Sequence, residues 1–256
     1  MVSVLSQPYT ATEQAKRYGG LLVLLDARQI FGVLEGGAVS TWSDLSGGGR
    51  HFTPEAGDLI TAPVWRKAGL NGRPSVEFNG TSNILSTPAV LTTNEWTIFA
   101  VASLAAQISD VIFCQHTGVA SAGRTTFGCG SADGAVLQSF YNDGTSNRVA
   151  VSTATAFDST PRLLRWVNDA LGNSAVGVNG SNNQGSPGAF PYTPVSAPFD
   201  LGGLSDEGVT PEAVRIGANW STGQISWVSI ANKRWSDSQI MAMEQALCRE
   251  FGIRYR

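Results

Sequence analysis

The chain has 256 residues, with 17 Lys and Arg against 20 Asp and Glu and a formal net charge of -3. Hydrophobic residues make up 42% and charged residues only 14%, whereas globular chains average about 25% charged. This balance excludes a disordered chain and argues against a nucleic-acid binder, which needs a basic surface. The 29 glycines favour many short strands joined by tight turns.

The cysteines and the N-terminus bear on the compartment. Cys114, Cys129 and Cys248 have neither the spacing of a zinc site nor that of a disulfide framework, so we expect buried thiols. Their spacing leaves open whether Cys114 and Cys129 are neighbours across adjacent strands. The N-terminus lacks the basic start and apolar core of a signal peptide, and the apolar run 21–25 is far shorter than the ~20 residues that cross a membrane. The sequence therefore predicts synthesis in a cytosol and no membrane span.

The first residues differ from the rest of the chain. Thr10 and Glu13 have the spacing of a helix capping box, and a pair of glycines ends the short helix that it predicts. We expect an N-terminal arm over 1–20 that packs on the domain or on a neighbouring molecule. A single domain over 21–256 follows it.

From residue 21 the pattern is that of β-strands. The run 96–102 is apolar on both faces, which is typical of a strand buried in a sandwich, and Asn142-Asp143-Gly144 is a hairpin signal. Turn signals about every 8–12 residues indicate an antiparallel sandwich or barrel. The predicted strands are 21–25, 76–78, 96–102, 111–114, 125–128, 135–141, 148–153, 163–167, 175–178, 214–218 and 224–231.

Two loops and a C-terminal helix complete the pattern. The predicted loops over 43–67 and 179–212 are long, and loops of this length are usually functional. A capping box at 236–239 precedes apolar residues at helical spacing, and Gly252 stands where a helix-ending glycine belongs. The helix places four apolar side chains on one face: Ile240, Met243, Leu247 and Phe251.

Three segments of this chain resemble the concanavalin A-like (laminin-G-like) jelly-roll modules of bacterial and phage proteins. Residues 24–27 and 39–47 are similar to the opening strand and the "W-D-SG" turn of that family. Residues 69–80 are similar to its "LNGRP-V-F-G" hairpin, and 225–230 with 235–240 to its closing strand and "R-LSDAEI" ending. The resemblance covers nearly the whole chain after residue 20.

The resemblance implies an all-β fold, namely a two-sheet antiparallel jelly-roll sandwich with a short N-terminal arm and a C-terminal helix. Members of the family bind glycans, proteins or other surfaces, often through loops at one rim, and some bind Ca²⁺. Because a fold does not determine a function, each site is argued separately.

Catalytic signals are weak. Glycoside hydrolysis needs two carboxylates that flank the bond, and catalytic relatives of this fold carry them in a Glu-x-Asp-x-x-Glu or Glu-x-Asp-x-Glu strand, which is absent here. The acidic pair Asp206-Glu207 lies in a predicted loop. His51 and His116 fit no metal or nucleophile motif, and His51 is expected to be a surface histidine. We therefore predict no catalytic residues and no enzyme.

Turn residues could supply oxygen ligands for calcium: Asp133, Asp143, Asp169, Asn79 and Asn83. Asp and Asn also favour turns for their own backbone hydrogen bonds, and this second interpretation is the stronger. No metal ligand and no cofactor is predicted, and a structural Ca²⁺ site is left open.

Glycan binding usually needs an exposed aromatic ring with polar neighbours. The candidate ligand-binding residues are loop aromatics and the polar residues beside them: Tyr141, Asn142, Asp143, Tyr192, Asn219 and Trp220. The alternative is that these aromatics pack over the rim of the sandwich. Five tryptophans in strands or motif turns are expected in the core: Trp42, Trp96, Trp166, Trp227 and Trp235. Arg162, Arg165 and Arg215 are expected to be solvated strand positions.

The leading hypothesis is a non-enzymatic structural or adhesion protein of a bacteriophage virion: a capsid decoration, head-fibre or tail protein. In this hypothesis the protein is made in the bacterial cytoplasm and then assembled. Its expected partners are other virion proteins and copies of itself in a homo-oligomer, with host-surface polysaccharide as the candidate ligand and with no nucleic acid. The alternatives are a stand-alone bacterial carbohydrate-binding lectin and, less favoured, a divergent glycosidase.

Overall fold

The computed structural model describes residues 9–54, 60–88, 91–105, 111–115, 122–129, 136–143, 147–181, 183–184, 198–203 and 222–256. The helices in these ranges are α1 (Ala11–Tyr18) and α2 (Asp237–Phe251), and a 3-10 turn covers Ala27–Gln29. The strands are β1 Leu21–Asp26, β2 Thr53–Pro54, β3 Val64–Leu70, β4 Arg73–Asn79, β5 Leu85–Thr87, β6 Trp96–Leu104, β7 Val111–Gln115, β8 Ala122–Cys129, β9 Val136–Asp143, β10 Asn147–Thr155, β11 Arg162–Asn168, β12 Ser174–Val178, β13 Asn183–Gln184, β14 Phe199–Leu201 and β15 Thr222–Ala231.

The strands form two antiparallel sheets. The eight-stranded sheet has the order β13-β12-β11-β6-β15-β4-β3, with β1 also paired to β15. The seven-stranded sheet has the order β10-β9-β8-β7-β14-β5-β2. The long strand β15 pairs with β6 on one side and with β4 and then β1 on the other. The predicted two-sheet antiparallel β-sandwich is confirmed.

Alternation along each strand separates two hydrophobic clusters. On β6, Ile98 and Ala100 face the space between the sheets, where they join the larger cluster. Phe99 and Val101 point to the opposite side of the same sheet and join a second cluster. All four side chains are 0% exposed, so the eight-stranded sheet is buried on both faces, as successive strand residues pointing to opposite faces require.

The helices cover the outer face of the eight-stranded sheet. Helix α2 begins at the capping box of Ser236 and Gln239, and it ends at Gly252, whose left-handed φ of 63° glycine adopts without strain. Its predicted apolar face is confirmed, because Ile240, Met243, Leu247 and Phe251 are all buried in the second cluster. Asn71, at the turn between β3 and β4, donates its side-chain amide to the Phe251 carbonyl at 2.9 Å and so ties the helix end to the sheet.

Helix α1 docks beside α2 on the same face. Its predicted capping box of Thr10 and Glu13 is present, and Ala11 and Ala15 are fully buried. Thr12 donates its hydroxyl to Asp26 at 3.0 Å and accepts the indole N–H of Trp227 at 3.1 Å. Of the two expectations for the arm, the structure therefore places α1 on its own domain.

Arg165 corrects the expectation of a solvated arginine. It lies on the outer face of β11 and pairs with Glu244 of α2 at 2.7 Å, with side chains only 7% and 3% exposed. The expectation was wrong because α2 covers this part of the sheet. Arg162 is half-buried and pairs with Asp158, while Arg215 lies outside the described residues.

The predicted strands are confirmed where the structure describes them, whereas the two predicted loops contain strands that were not predicted. Every predicted strand that falls on described residues is present, and 214–218 lies outside them. The predicted loop over 43–67 is wrong at 53–54, which form β2, and at its end, because 64–67 begin β3. That edge strand was missed because its exposure does not alternate. The short strands β13 and β14 lie within the predicted loop 179–212.

Candidate functional site

The structure places the backbone of three of the predicted ligand residues. Tyr141, Asn142 and Asp143 end β9, and Asn142 is paired with Asn147 of β10, which supports the predicted hairpin. Their side chains lie outside the described part of the structure. Tyr192, Asn219 and Trp220 lie outside the described residues altogether.

The first part of the predicted loop 43–67 has a structural role. Asp44 is 7% exposed and accepts backbone N–H groups of Leu24 at 3.0 Å and of Ser46 at 2.9 Å. The Leu45 N–H donates to the Leu24 carbonyl at 2.8 Å. His51 is exposed, as expected, and its Nδ1 accepts the Asp44 N–H. This segment therefore covers the free edge of β1.

The cysteines and turn carboxylates whose side chains the structure describes show no ligand geometry, while Asp133 and the side chains of Cys129 and Asp143 lie outside the described part. Cys114 and Cys248 are buried, and burial raises the pKa of the Cys248 thiol to about 12. Cys114 is paired with Thr126, three residues from Cys129 along β8, so these two cysteines are not cross-strand neighbours. Asp169 accepts the backbone N–H groups of Leu171 and Asn173. Within the described ranges, no group of three or more His, Cys, Asp and Glu could hold a metal ion.

The outer face of the seven-stranded sheet carries a polar row. Asp200 lies between Phe199 and Leu201, both of which face the core, so its side chain points outward. It is paired across the sheet with Ser86 and Cys114. The Ser86 hydroxyl donates to its carboxylate at 2.6 Å. Asp200 is only 1% exposed, and among the side chains that the structure describes on this sheet it is the one carboxylate; that of Asp143, at the end of β9, lies outside them.

A more accessible site lies at the edge of the other sheet, in residues 31–36, which we call the edge turn. Phe31 is 79% exposed and Leu34 is 82% exposed. Among the described residues these are the two most exposed large hydrophobic side chains. Phe31 thus presents its aromatic ring to solvent.

The edge turn is held in a defined conformation. Ile30 and Val33, which alternate with the exposed residues, pack into the core. Trp65 of β3 accepts the N–H of Gly36 at 3.0 Å and donates its own N–H to Gly37 at 2.9 Å. The turn therefore continues the edge of the sheet, and Phe31 is displayed on a preorganised backbone.

Charged groups that are bonded to one another lie beside the edge turn. Arg66 of β3 donates Nε and Nη2 to the two carboxylate oxygens of Glu77 at 2.9 and 3.0 Å. Its Nη1 approaches Glu35 of the edge turn at 3.5 Å, and Glu35 also accepts the Lys67 backbone N–H at 2.6 Å. The side chains of Arg66, Glu77 and Glu35 are 35%, 36% and 56% exposed. We call Glu35, Arg66, Lys67 and Glu77 the edge cluster.

The hydrogen bonds of the edge cluster shift the pKa values of two of its members. The hydrogen bond from Arg66 lowers the pKa of Glu77 below its usual value, and the same bond raises the pKa of Arg66. Both members of the Arg66–Glu77 pair are therefore charged at neutral pH. The guanidinium is fixed by a two-pronged contact, the geometry that positions planar polar groups most strictly.

Sequence reasoning missed the edge turn. Its aromatic ring stands in the run Ile30-Phe31-Gly32-Val33-Leu34, which has the composition of a core segment. The available signal was the set of glycines that flank the exposed residues, because Gly32 and Gly36 both adopt positive φ and so indicate a turn. The core positions predicted for the five tryptophans are confirmed, with Trp42, Trp96, Trp166, Trp227 and Trp235 at most 1% exposed.

Comparisons with known proteins bear on the fold. No protein-family model matches the chain, and no curated protein matches it. Among solved structures it is similar to the botulinum neurotoxin serotype G binding domain (11% identity, TM-score 0.59, 89% of this chain and 51% of that one). It is also similar to a Trypanosoma rangeli sialidase (14% identity, TM-score 0.57, 90% of this chain and 33% of that one).

A third structure is matched over its whole length. Domain 4 of an extracellular GH43 arabinanase from Geobacillus stearothermophilus, in complex with arabinotriose, is 15% identical with a TM-score of 0.58, over 88% of this chain and 98% of that one. By contrast, the chain spans about half of the neurotoxin domain and a third of the sialidase. At these identities the likeness shows the fold, a two-sheet β-sandwich. None of the described helices has the length and apolar character to cross a membrane.

Proposed function

We propose that this chain is a non-enzymatic glycan-binding β-sandwich module. The observation that carries the proposal is the edge turn, which presents the exposed ring of Phe31 and also carries Glu35, whose carboxylate reaches Arg66 of the Arg66–Glu77 pair. The C–H face of a sugar ring packs on an aromatic ring, while its hydroxyl groups need fixed donors and acceptors. The edge turn and the edge cluster supply both.

The structural neighbours support the same function. The domain matched over its whole length is bound to arabinotriose, and the neurotoxin neighbour is a binding domain. We also propose that the chain is a concanavalin A-like (laminin-G-like) module, since its sandwich fits the sequence resemblance. Sheet edges and loops are where such a scaffold can vary its ligand without losing its core.

The test is a glycan array probed with the full labelled chain, with arabinotriose included. Binding to a defined set of oligosaccharides is the expected result, and the absence of binding to every glycan, with and without Ca²⁺, would overturn the proposal. The predicted loop aromatics are tested in the same array by Tyr141→Ala, Tyr192→Ala and Trp220→Ala. Each variant should weaken binding if that residue contacts the ligand.

The absence of catalysis is part of the proposal. Its support is that Asp200, the one carboxylate among the described side chains of the seven-stranded sheet, is only 1% exposed and bonded to Ser86. Prolonged incubation of the protein with each bound oligosaccharide should leave the sugar intact by mass spectrometry. Release of shorter sugars would favour the divergent glycosidase instead.

We further propose that the module is carried on a bacteriophage virion, as a decoration, head-fibre or tail protein that meets host-surface polysaccharide. The favouring observation is the buried Cys248 thiol, which fits folding in a reducing cytoplasm before assembly. Electron microscopy with light scattering of the native protein should find a defined oligomer or copies on a particle. A monomer of 27.0 kDa with glycan affinity would favour the free bacterial lectin.

A further inference from the structure

The edge cluster has no surplus positive charge. Arg66 faces two carboxylates, those of Glu77 and Glu35, and the three side chains sum to one negative charge. Counting the exposed Lys67 as well brings the sum to zero. An incoming carboxylate, sulfate or phosphate therefore meets two fixed carboxylates and a guanidinium that is already bonded to them.

The N–H donors of Arg66 are also already directed at carboxylates of this chain. Its Nε and Nη2 are directed at Glu77 and its Nη1 at Glu35. An anionic sugar would have to displace one of these carboxylates to gain a charge-assisted bond, leaving that carboxylate without its partner. A neutral sugar needs no displacement, because a hydroxyl group can donate to a bonded carboxylate that still has free lone pairs.

The apolar half of the site is also uncharged. Phe31 and Leu34 are both exposed in one turn, while Val33, between them in the chain, is partly buried and packs against the core. The flat, uncharged C–H face of a sugar ring fits this apolar surface. The nearest charge along the chain is that of Glu35, which follows Leu34 and reaches Arg66.

We propose that the edge turn and the edge cluster form a subsite that binds neutral oligosaccharides and rejects anionic ones. The proposal rests on the proposed glycan-binding function and adds the ligand class, the location and the residues that set the specificity. Phe31 is the stacking residue. Glu35 and Glu77 are the specificity-determining residues, because they neutralise Arg66.

The experiment uses the full chain on an array that holds matched neutral and acidic glycans, such as lactose with its sialylated form and arabinotriose with oligogalacturonides. The unmodified protein should bind neutral members and not their acidic counterparts. Phe31→Ser should lose about tenfold in affinity or more, because one aromatic contact plus its buried area reaches this size. Leu171→Ser is the matched control, since Leu171 is 73% exposed in another turn and its loss should leave binding unchanged.

Specificity is tested by charge. The double variant Glu35→Gln with Glu77→Gln keeps both side chains in shape and frees Arg66, so it should gain binding to acidic glycans. Arg66→Gln removes the guanidinium, so this variant should gain no binding to acidic glycans. Because these residues are at least one-third exposed, the variants should fold, which circular dichroism checks.

Each outcome decides the inference. Binding of acidic glycans by the unmodified protein, or neutral binding that Phe31→Ser leaves intact, overturns the subsite while the glycan-binding function stands. An absence of glycan binding overturns both. Binding to zwitterionic lipid vesicles that Phe31→Ser abolishes, without glycan binding, would replace the sugar by a membrane surface.

Discussion

Two arginine–glutamate pairs on the same sheet have opposite surroundings. Arg165 and Glu244 meet at 2.7 Å beneath α2, with side chains 7% and 3% exposed. Arg66 of the edge strand β3 and Glu77 of the neighbouring strand β4 meet at 2.9 Å, with side chains 35% and 36% exposed. The buried pair fastens a helix and is closed to ligands, whereas the exposed pair keeps free lone pairs in contact with solvent. Burial, rather than residue type, separates the structural role from the proposed binding role.

The largest predicted loss of stability comes from a substitution on the outer face of the eight-stranded sheet, which α2 covers. Leu247→Asp removes a side chain that is 0% exposed in the second cluster. Truncation of a buried Leu costs about 2–5 kcal/mol, and the desolvation of a carboxylate adds to this. Urea denaturation should show a loss above this range or a failure to fold. Met241→Asp, on the exposed side of the same helix, should cost little, and equal losses would mean that α2 does not pack as described.

The second-largest loss of stability is expected at the buried Arg165–Glu244 pair. Arg165→Met leaves Glu244 buried without its cation, and the removal of one partner of a buried pair costs about 3–5 kcal/mol. The double variant Arg165→Met with Glu244→Met should recover much of this free energy of unfolding. A loss below about 1 kcal/mol for the single variant would contradict the structural role of the pair.

The docking of α1 gives a smaller change. Thr12→Val removes the hydroxyl that bridges Asp26 and the Trp227 indole N–H. An unsatisfied buried donor costs about 1–3 kcal/mol, so the melting temperature should fall. Thr41→Val, at an exposed position, is the control. An unchanged melting temperature for Thr12→Val would mean that α1 is not held by this bridge.

The two glutamates should respond to acid in opposite directions. Burial raises the pKa of Glu244 above its ordinary value of 4.5 despite Arg165, so its contribution to stability grows as the pH falls through the folded pKa towards 4.5. The hydrogen bond from Arg66 lowers the pKa of Glu77 below 4.5. Its stabilising contribution is therefore complete above 4.5 and is lost as the pH falls through the folded pKa.

Denaturation of the parent and of Glu244→Gln and Glu77→Gln at several pH values measures this contrast. On acidification the stability of the parent relative to Glu244→Gln should rise, whereas its stability relative to Glu77→Gln should fall. Gaps that change in the same direction would contradict the assigned environments.

The smallest effect is expected at the exposed pair. Arg66→Met should change the free energy of unfolding only slightly, as is usual for exposed pairs, while it alters glycan binding. A loss as large as that of Arg165→Met would make the edge cluster structural and would remove the contrast between the pairs.

The helix and the strands could be predicted because their signals are local. Ile240 and Leu247 repeat at helical spacing on α2, and Gly252 ends it. The burial of Arg165 could not be predicted, since its partner Glu244 lies 79 residues away along the chain. Phe31 was missed because its exposure depends on Ile30 and a neighbouring strand that hold the turn, and hydrophobic composition alone predicts burial.

The most direct test of the central claim is an NMR titration of the full ¹⁵N-labelled chain with the neutral oligosaccharide that binds best on the array. Chemical-shift changes should concentrate at residues 31–36 and at Arg66, Lys67 and Glu77, and Phe31→Ser should abolish them. Changes centred on Asp200 and Ser86 of the seven-stranded sheet, with the edge turn unaffected, would contradict it.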